Sequence, residues 1–156
     1  MTLPASFPLS MSQINVELGR ASNATTSLLE SAVRTLAQRP SGSVGFNNLL
    51  GKASLTVTGN SDDRSYNSSG VGGNANSFPT VTIVGGQAPY TYAWSFTSNP
   101  NAASLTNGTT ATPTVSKVYT ANSVGAYSST LQCVVTDNLG TVRTATGITA
   151  SANWEP

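Results

Sequence analysis

The 156-residue sequence contains no histidine and a single cysteine, Cys133. One cysteine excludes both an intramolecular disulfide and a cysteine-rich metal site. The lack of histidine removes the commonest metal ligand and the commonest general base, and with them any Cys–His catalytic pair. We therefore expect no enzymatic activity, no metal and no cofactor. The absence of disulfides suits a protein that folds in a reducing cytosol.

Charge is also scarce. Charged residues make up 8% of the sequence and the net charge is +1, whereas a typical domain is about 25% charged. The arginines are scattered along the chain and form no basic stripe, so we expect no nucleic-acid partner. The first eight residues lack a basic start with a long apolar run, and no stretch approaches the roughly 20 apolar residues of a membrane span. We therefore expect neither a signal peptide nor a membrane partner.

The first fifty residues carry the helix signals of the sequence. In a capping box, a Ser or Thr side chain and a Glu or Gln side chain three residues later satisfy each other's free backbone N–H groups. Ser10 and Gln13 predict a first helix, with Gly19 as its left-handed cap. Ser27 and Glu30 predict the start of a second helix.

Two further local contacts are predicted for these helices. Glu30 and Arg34 are four residues apart in the favourable orientation for an ion pair, which contributes a few tenths of a kcal/mol. Residues 44–52 repeat the pattern of the first helix start and predict a third short helix. Because Leu9 and Val44 occupy the same place in the two patterns, we expect them to pair as a minimal β-bridge.

Helices this short are unstable alone, and fifty residues bury little apolar surface by themselves. We therefore predict that residues 1–52 form a docking segment that presents exposed apolar faces to a partner protein. The extended tail with Leu3 and Phe7 either packs on these helices or inserts into a partner. The residues predicted for the docking surface are Leu9, Met11, Ile14, Leu18, Leu29, Val33, Leu36, Phe46 and Leu49.

From residue 53 onward the apolar period changes from helical to two, the period of a strand with one buried face. Residues 60–77 are rich in Ser, Asn and Gly and predict a long loop, or an irregular excursion with a single edge strand. About seven short strands separated by turn signals indicate an antiparallel β-sandwich over residues 53–156. The predicted fold class is mainly β with a small α segment. The strands are predicted at residues 53–59, 78–84, 90–96, 111–120 (as one or two strands broken by Pro113), 127–136 and 141–152.

Two patterns that could indicate ligand sites are weak. Gly51 and Lys52 do not complete a phosphate-binding loop, because Phe46 stands at its first glycine position and Ala53 replaces the Ser or Thr that holds magnesium. The adjacent carboxylates at residues 62 and 63 could contribute to a calcium site, but a lone Asp pair in a loop is more often simply solvated.

Two stretches of the β region carry a resemblance to a known fold. Residues 85–94 (GGQAPYTYAW) and residues 131–140 (LQCVVTDNLG) resemble the B–C corner and the strand F and F–G turn of bacterial immunoglobulin-like and polycystic-kidney-disease-like (PKD-like) domains. The resemblance implies an Ig-like sandwich with Trp94 as its strand C tryptophan. Cys133 then takes the second-cysteine place, and Leu131 stands where a tyrosine corner has Tyr. We expect Trp94 in the core rather than in a sugar-binding platform, and Cys133 as a small buried hydrophobe.

The N-terminal region carries a second resemblance. Its stretches are PLSMSQINVELG at residues 8–19, SAVRTLA at 31–37, PSG at 40–42 and NLLGK at 48–52. In the same order they resemble a segment of tailed-bacteriophage virion proteins that occurs near the start of tail and fibre-like proteins and before Ig-like repeats. The chain departs from that pattern at Gly45, Phe46, Asn47 and Leu50, which puts the contacts of the third helix in doubt. The resemblance implies a virion part of tail, baseplate, neck or head.

The function expected from the sequence is therefore that of a non-enzymatic structural protein of a tailed-bacteriophage particle, assembled in the host cytoplasm. Its helices dock in multiple copies on tail, baseplate or neck proteins, and its Ig-like domain projects. One alternative is a host-surface glycan-binding or adhesion module, which would make weak contacts through residues 60–77 or 98–108. Another is a capsid decoration protein.

Overall fold

The computed structural model describes residues 2–67 and 69–155. In this part of the chain the helices are α1 (Met11–Glu17) and α2 (Ser31–Leu36), followed by a 3-10 helix at Phe46–Asn48. The strands are β1 (Thr56–Asn60), β2 (Asp62–Asn67), β3 (Gly73–Ser77), β4 (Thr80–Val84), β5 (Thr91–Ser98), β6 (Ser104–Thr106), β7 (Thr114–Tyr119), β8 (Gly125–Thr136) and β9 (Val142–Glu155). The chain is thus mainly β with a small helical segment, which confirms the predicted fold class.

The chain forms two compact units. The helical unit consists of the chain up to Thr56, together with Ile83–Tyr90 and Thr136–Val142. The strand unit consists of Val57–Thr82, Thr91–Val135 and the chain from Arg143 on. Two turns that come late in the sequence therefore group with the N-terminal helices. The division predicted between residues 52 and 53 stays a prediction.

The strand order is that of an immunoglobulin-like fold. Among the described residues β2-β9-β8-β5 form one sheet, β3-β7-β6 a second, and β1 pairs with β4. In immunoglobulin lettering β3-β7-β6 corresponds to strands B-E-D, and β9-β8-β5 to G-F-C. The pairs on β7 are antiparallel. β2 instead runs parallel to β9, with Asp62 opposite Ala150 and Asn67 opposite Glu155.

Within the strand unit the two sheets meet at Tyr127 of β8. Its side chain is 1% exposed, and its hydroxyl donates to the Val115 carbonyl oxygen on β7 at 2.8 Å. The same hydroxyl oxygen lies 3.0 Å from Ser77 Oγ on β3. A buried tyrosine needs a partner for its hydroxyl, and Tyr127 finds both partners on the opposite sheet. The predicted alternation of β8 is confirmed by the burial of Leu131, Cys133 and Val135.

Strand β9 changes its alternation midway. Ala145 and Ile148 are buried three residues apart, and the two residues between them are exposed. One of these, Gly147, has φ +71°, the conformation of the glycine in a G1 β-bulge. Val142, near the start of the strand predicted for residues 141–152, is 49% exposed. Beyond Ile148 the strict period of two resumes, with a buried row formed by Ala150, Ala152 and Trp154.

Residues 60–77 are not one long loop. They hold β2 and β3, each paired along a neighbouring strand. The stretch has few of the β-branched residues that favour strands, but strand formation depends more on cross-strand neighbours than on intrinsic preference. The prediction of a loop with at most one edge strand is therefore wrong, because tertiary pairing outweighs local composition here.

The first predicted helix start is confirmed. The Ser10 N–H donates to Gln13 Oε1 at 2.8 Å, and the Gln13 N–H donates to Ser10 Oγ at 3.4 Å. Gly19 follows the helix with φ +73°, the left-handed conformation expected of a cap. Helix α1 therefore forms where its local signals predicted it.

The second capping box does not form. Glu30 is itself the N-cap of α2 and makes no side-chain capping bond. Ser27 instead accepts the Leu29 N–H at 3.2 Å through its hydroxyl oxygen. The hydroxyl thus stabilises a turn before the helix, and α2 begins at Ser31, later than predicted.

The predicted pair of Glu30 with Arg34 is also wrong. Glu30 forms an ion pair with Arg20. Arg34 is drawn to backbone carbonyls, since its Nε donates to Leu29 at 3.0 Å and its Nη1 donates to Gly42 at 2.7 Å. A guanidinium presents five N–H donors in a fixed fork, and two of the Arg34 donors bond to these carbonyl oxygens.

The third predicted helix is a single 3-10 turn, Phe46–Asn48. Its cap is one-sided, because Gly45 has no side chain: the Gly45 N–H donates to Asn48 Oδ1 at 2.9 Å, and the Asn48 N–H donates to the Gly45 carbonyl oxygen at 3.0 Å. The bridge predicted between Leu9 and Val44 is absent, since neither residue is in a strand or bridge. Both side chains are instead buried in one apolar cluster.

The capping box of α1 gives a direct test of this local structure. We predict that Ser10→Ala lowers the stability of α1 by about 1 kcal/mol, because the Gln13 N–H loses its acceptor. Exchange of the α1 amide hydrogens should then be about fivefold faster, as measured by NMR hydrogen exchange. The control Ser43→Ala, at an exposed loop position, should leave these rates unchanged. Equal rates in both variants would contradict the capping role.

Candidate functional site

The helical unit has an apolar core of its own. Side chains from the tail, both helices and the 3-10 turn meet in it, so the short helices bury their apolar faces against one another and against the chain around them. The buried members are Leu3, Leu9, Ile14, Val33, Leu36, Ala37, Val44 and Leu49. Met11, Leu18, Leu28, Phe46 and Leu50 are partly buried against it.

This core corrects the exposure expected of the docking surface. Five of the nine predicted residues are buried, namely Leu9, Ile14, Val33, Leu36 and Leu49. Met11, Leu18 and Phe46 are partly buried against the same cluster. Of the nine, only Leu29 is largely exposed, at 64%. The reason is that the tail and residues 37–50 supply apolar partners that the spacing of the helices alone did not reveal.

The tail divides between its two predicted roles. The Leu3 N–H donates to the Lys52 carbonyl oxygen at 2.8 Å, and the Gly51 N–H donates to the Pro4 carbonyl oxygen at 2.8 Å. These bonds hold the start of the tail beside residues 51–52, and the Leu3 side chain is buried. Phe7 projects instead and is 60% exposed. The tail therefore packs on its own unit while presenting one aromatic ring to solvent.

A buried amide organises the loop after α1. Asn15 is 1% exposed, and its Nδ2 donates to the carbonyl oxygens of Ala24 at 2.7 Å and Ser22 at 3.2 Å. The Thr26 hydroxyl donates to Asn15 Oδ1. All of these partners lie within eleven residues of Asn15. No local pattern predicts this role, since Asn15 has the position of an ordinary polar residue on an amphipathic helix.

Glu17 connects α1 to the segment that leads into β1. The Ser54 N–H donates to Glu17 Oε1 at 2.8 Å, and the Ser54 hydroxyl donates to the Glu17 carbonyl oxygen at 3.1 Å. Glu17 is buried, at 8% exposure, and hydrogen bonds to a carboxylate are stronger than those between neutral groups. Ser54 is therefore fixed to the end of α1.

Asp137 connects the two late turns of the helical unit. Its carboxylate is 5% exposed. Oδ1 accepts the N–H groups of Leu139 at 3.0 Å and Thr141 at 2.8 Å, and Oδ2 accepts that of Gln87 at 3.1 Å. The Asn138 N–H donates back to the Gln87 carbonyl oxygen at 2.8 Å. The predicted hairpin turn at residues 137–140 is thus confirmed, and it is joined to the turn that contains Gln87.

Glycine is required where residues 53–54 approach the first of these turns. Gly85 has φ +72°, and a Cβ there would lie 2.3 Å from the carbonyl oxygens of Ala53 and Ser54. Such a distance is far below van der Waals contact, so any side chain would push the backbones apart. The two-glycine sequence at residues 85–86 therefore permits a close backbone approach within the helical unit.

The structure explains why Cys133 is a poor nucleophile. Its side chain is fully buried in the strand unit, and this burial raises the pKa of the thiol to about 11, although a hydrogen bond with the Ala93 backbone acts in the opposite direction. A thiolate is the reactive form of cysteine, so the protein holds Cys133 in its unreactive form near neutral pH. Within residues 2–67 and 69–155, no group of three or more His, Cys, Asp and Glu side chains could hold a metal ion.

The two adjacent carboxylates of β2 have protein partners. Asp62 accepts Nε of Arg64 at 2.8 Å and the Phe78 N–H at 2.7 Å. Burial alone would raise the pKa of Asp62, but these bonds, together with the positive charge of Arg64, outweigh it and lower the pKa. Asp63 instead accepts the Ser151 hydroxyl at 2.7 Å. The two side chains therefore serve separate contacts along the strand.

Trp94 and the loop at residues 98–108 also have structural roles. Trp94 is buried, and its Nε1 donates to the Thr110 carbonyl oxygen at 2.9 Å, which confirms the core assignment of this residue. The loop contains β6, and the Asn99 side chain donates to the Ala103 carbonyl oxygen at 2.8 Å while accepting its N–H at 2.9 Å. Among the described helices, none is long and apolar enough to cross a membrane.

No family model and no curated protein matches the sequence. Among solved structures, a nucleoside hydrolase-related protein from Saccharophagus degradans that is associated with carbohydrate metabolism is 15% identical, with a TM-score of 0.40, over 70% of this chain. The chain spans 28% of the length of that protein. The PKD domain of human KIAA0319 is 16% identical with a TM-score of 0.36, over 65% of this chain and 81% of the domain. The M1 domain from titin is 11% identical with a TM-score of 0.29, over 64% and 92%.

These neighbours concern the fold alone. PKD and titin domains are Ig-like β structures, as is the strand arrangement described above. The expectation of an Ig-like domain holds at the level of fold because of that strand arrangement.

We predict that Asp137→Ala destabilises the protein by about 3 kcal/mol, because three backbone N–H groups around a buried position lose their acceptor. Urea unfolding followed by far-UV circular dichroism measures this loss. The matched control Asp63→Ala removes an exposed carboxylate and should change the free energy of unfolding by less than about 0.5 kcal/mol. A similar change in both variants would show that the Asp137 bonds contribute little.

We further predict that the Cys133 thiol resists modification by a disulfide reagent in the native protein. With a pKa of about 11, the thiolate fraction at pH 8 is about one in a thousand, and burial also blocks access. Reaction should become fast in 6 M guanidinium chloride, a denaturing control. Fast reaction of the folded protein at pH 8 would refute the assignment.

Proposed function

We propose that this protein is a non-enzymatic structural component of a tailed-bacteriophage particle. In this proposal the helical unit docks on tail, baseplate or neck proteins, in several copies per particle, and the Ig-like strand unit projects from it. The observation that carries the proposal is the ordered resemblance of residues 6–54 to a segment of phage virion proteins. The cap formed by Ser10 and Gln13 lies within that segment.

The structure supports a modified form of docking. Because the helical unit buries most of the predicted surface in its own core, a partner would meet a folded unit rather than unprotected helix faces. Phe7 and Leu29 are the large apolar side chains most exposed in its N-terminal part. Exposed aromatic and aliphatic groups of this kind often anchor protein interfaces, so we assign the docking contact to these two residues.

Chemical features favour a structural role over catalysis. The sequence lacks histidine, and the one cysteine is buried with a raised pKa. The segments that would contact a glycan, residues 60–77 and 98–108, are largely occupied by strands and by side-chain bonds to backbone. No observation on these segments favours a glycan-binding module over a virion part.

Particle incorporation tests the proposal in the full-length chain. A fragment of residues 1–54 is unsuitable, because the helical unit also includes Ile83–Tyr90 and Thr136–Val142. Particles purified by density gradient should contain the chain, detected by a specific antibody and placed on the particle by immunogold electron microscopy. The variant Phe7→Ser with Leu29→Ser, supplied in place of the wild type, should be incorporated at least about fivefold less, as expected for loss of apolar anchors.

The matched control is Val118→Ser, which removes an equally exposed apolar side chain of the strand unit, 74% exposed. It should be incorporated like the wild type. Absence of the wild-type chain from purified particles would refute the virion role. Normal incorporation of the double variant would refute the docking contact while leaving the virion role intact.

A further inference from the structure

Asn107 and Gly108 follow strand β6 and form the only Asn-Gly pair in the sequence. Asparagine is a thermolabile residue, because the backbone nitrogen of the residue that follows it can attack the carbon of its side-chain amide. A glycine in the following position leaves this attack unhindered, since it has no Cβ. Of all the asparagines in the chain, Asn107 therefore has the following residue that obstructs this reaction least.

The fold does not require glycine at position 108. A Cβ there would lie 3.6 Å from the Trp94 carbonyl oxygen and 3.7 Å from Leu105 Cδ2, which are ordinary van der Waals distances. Gly108 also does not have the positive φ that favours glycine. Gly85, by contrast, has φ +72° and no room for a side chain. An alanine at position 108 is therefore compatible with the fold.

The two reacting groups are not held by hydrogen bonds. Among the described residues, none accepts the Gly108 N–H or bonds to the Asn107 side chain. Asn107 is also exposed. Several other asparagine side chains are fixed by hydrogen bonds, namely those of Asn15, Asn48, Asn60, Asn67, Asn99 and Asn101. The Asn107 side chain is thus free to rotate toward the Gly108 nitrogen.

The carbonyl oxygen of Asn107 accepts two hydrogen bonds from Thr110. The Thr110 N–H donates to it at 3.0 Å, and the Thr110 hydroxyl donates at 2.9 Å. The hydroxyl proton is shared, because the Thr112 carbonyl oxygen also lies 3.0 Å from Thr110 Oγ1. Since the Asn107 carbonyl and the Gly108 nitrogen belong to one peptide group, loss of the Gly108 proton places negative charge on this oxygen by resonance. Donors already directed at the oxygen stabilise that anion, which is the attacking form of the nitrogen.

We propose that Asn107 is a site of spontaneous deamidation in the folded protein, promoted by the two donors of Thr110. The Gly108 nitrogen gives its proton to solvent and attacks Asn107 Cγ, and the new C–N bond closes a five-membered succinimide ring. The bond from Cγ to the side-chain nitrogen breaks, and that nitrogen takes a proton from water and leaves as ammonia. Water then opens the ring at either carbonyl carbon, which gives aspartate or isoaspartate. Water is the only co-reactant, and the reaction does not depend on the virion role.

The turn that would be modified is bonded to a core tryptophan. The Trp94 N–H donates to the Gly108 carbonyl oxygen at 2.8 Å, and Trp94 Nε1 donates to the Thr110 carbonyl oxygen at 2.9 Å. In isoaspartate the main chain runs through the former side chain, so one additional carbon enters the turn just before Gly108. We therefore expect isoaspartate to weaken the Trp94 bonds, and the modified chain to unfold at a lower urea concentration than the unmodified chain.

Ageing of the full-length protein tests the proposal. The folded chain is incubated at pH 8 and 37 °C, digested with chymotrypsin and analysed by mass spectrometry, with electron-transfer fragmentation to separate aspartate from isoaspartate. Deamidation at Asn107 should be at least about tenfold faster than at Asn122. Asn122 is an internal control, because it is exposed and has the same φ of +55° but is followed by serine. Urea unfolding of the aged chain, after separation by ion exchange, measures the effect on Trp94 through its fluorescence.

Three substitutions assign the roles. Gly108→Ala should slow deamidation at Asn107 by at least about tenfold, because a Cβ hinders the attack. Thr110→Val keeps the backbone N–H but removes the hydroxyl donor, and should slow the reaction by about fivefold. The matched control Thr109→Val removes the neighbouring exposed hydroxyl and should leave the rate unchanged. Gly108→Ala remains informative if Thr110→Val disturbs folding, since a Cβ fits at position 108.

Each part of the proposal has an outcome that contradicts it. Equal rates at Asn107 and Asn122, or an unchanged rate in Gly108→Ala, would overturn the assignment of the site. Equal rates in Thr110→Val and Thr109→Val would overturn the role of the Thr110 hydroxyl. An isoaspartate form that unfolds at the same urea concentration as the unmodified chain would overturn the effect on Trp94.

Discussion

A buried carboxylate must be surrounded by donors, and in the helical unit this requirement is met by backbone N–H groups of two turns that are far apart in sequence. Asp137 accepts from Gln87 and from two residues of its own hairpin turn. Without these bonds, burial of a charge would be strongly unfavourable. The Asp137 bonds therefore join the turn near residue 87 to the turn at residues 137–140. Residues 53–54 lie against Gly85 of the first turn, and Ser54 is held in turn by Glu17 at the end of α1.

Hydrogen bonds from buried polar side chains to distant backbone groups also help to hold helices that are too short to be stable alone. Helices α1 and α2 have seven and six residues, yet each is tied to non-helical chain by polar side chains as well as by the apolar cluster. Asn15 holds the loop that follows α1, and Gln38 reaches from beyond α2 to the turn at Gly86. Tertiary contacts thus supply the apolar burial that helix length alone assigned to a partner protein, and any docking surface must lie outside this core.

Local signals predicted some of this structure correctly. The Ser10–Gln13 cap and the hairpin turn at residues 137–140 depend on residues three or four positions apart, so the sequence displays them directly. Glu30 instead forms its ion pair with Arg20, which lies on the other side of a loop. Strand β2 forms by pairing with β9, some 88 residues later in the chain. Local spacing cannot rank such distant partners, and composition misleads where a polar, glycine-rich stretch becomes a strand. The sequence did not predict the buried roles of Asn15 and Tyr127, because the partners of each side chain lie outside the helix or strand to which the residue belongs.

An open depression of the helical unit, lined by Arg39, Lys52 and Gln87 among others, shows the same limit. Along the sequence the few cations form no stripe, so the expectation of no nucleic-acid partner stays a prediction. Folding nevertheless places Arg39 and Lys52, thirteen residues apart, beside Gln87 from a distant turn. In a chain with so few charges, two cations without a lining carboxylate can dominate the local potential, since little else competes with them at short range. Such a field has the scale of one small anion rather than of a polymer.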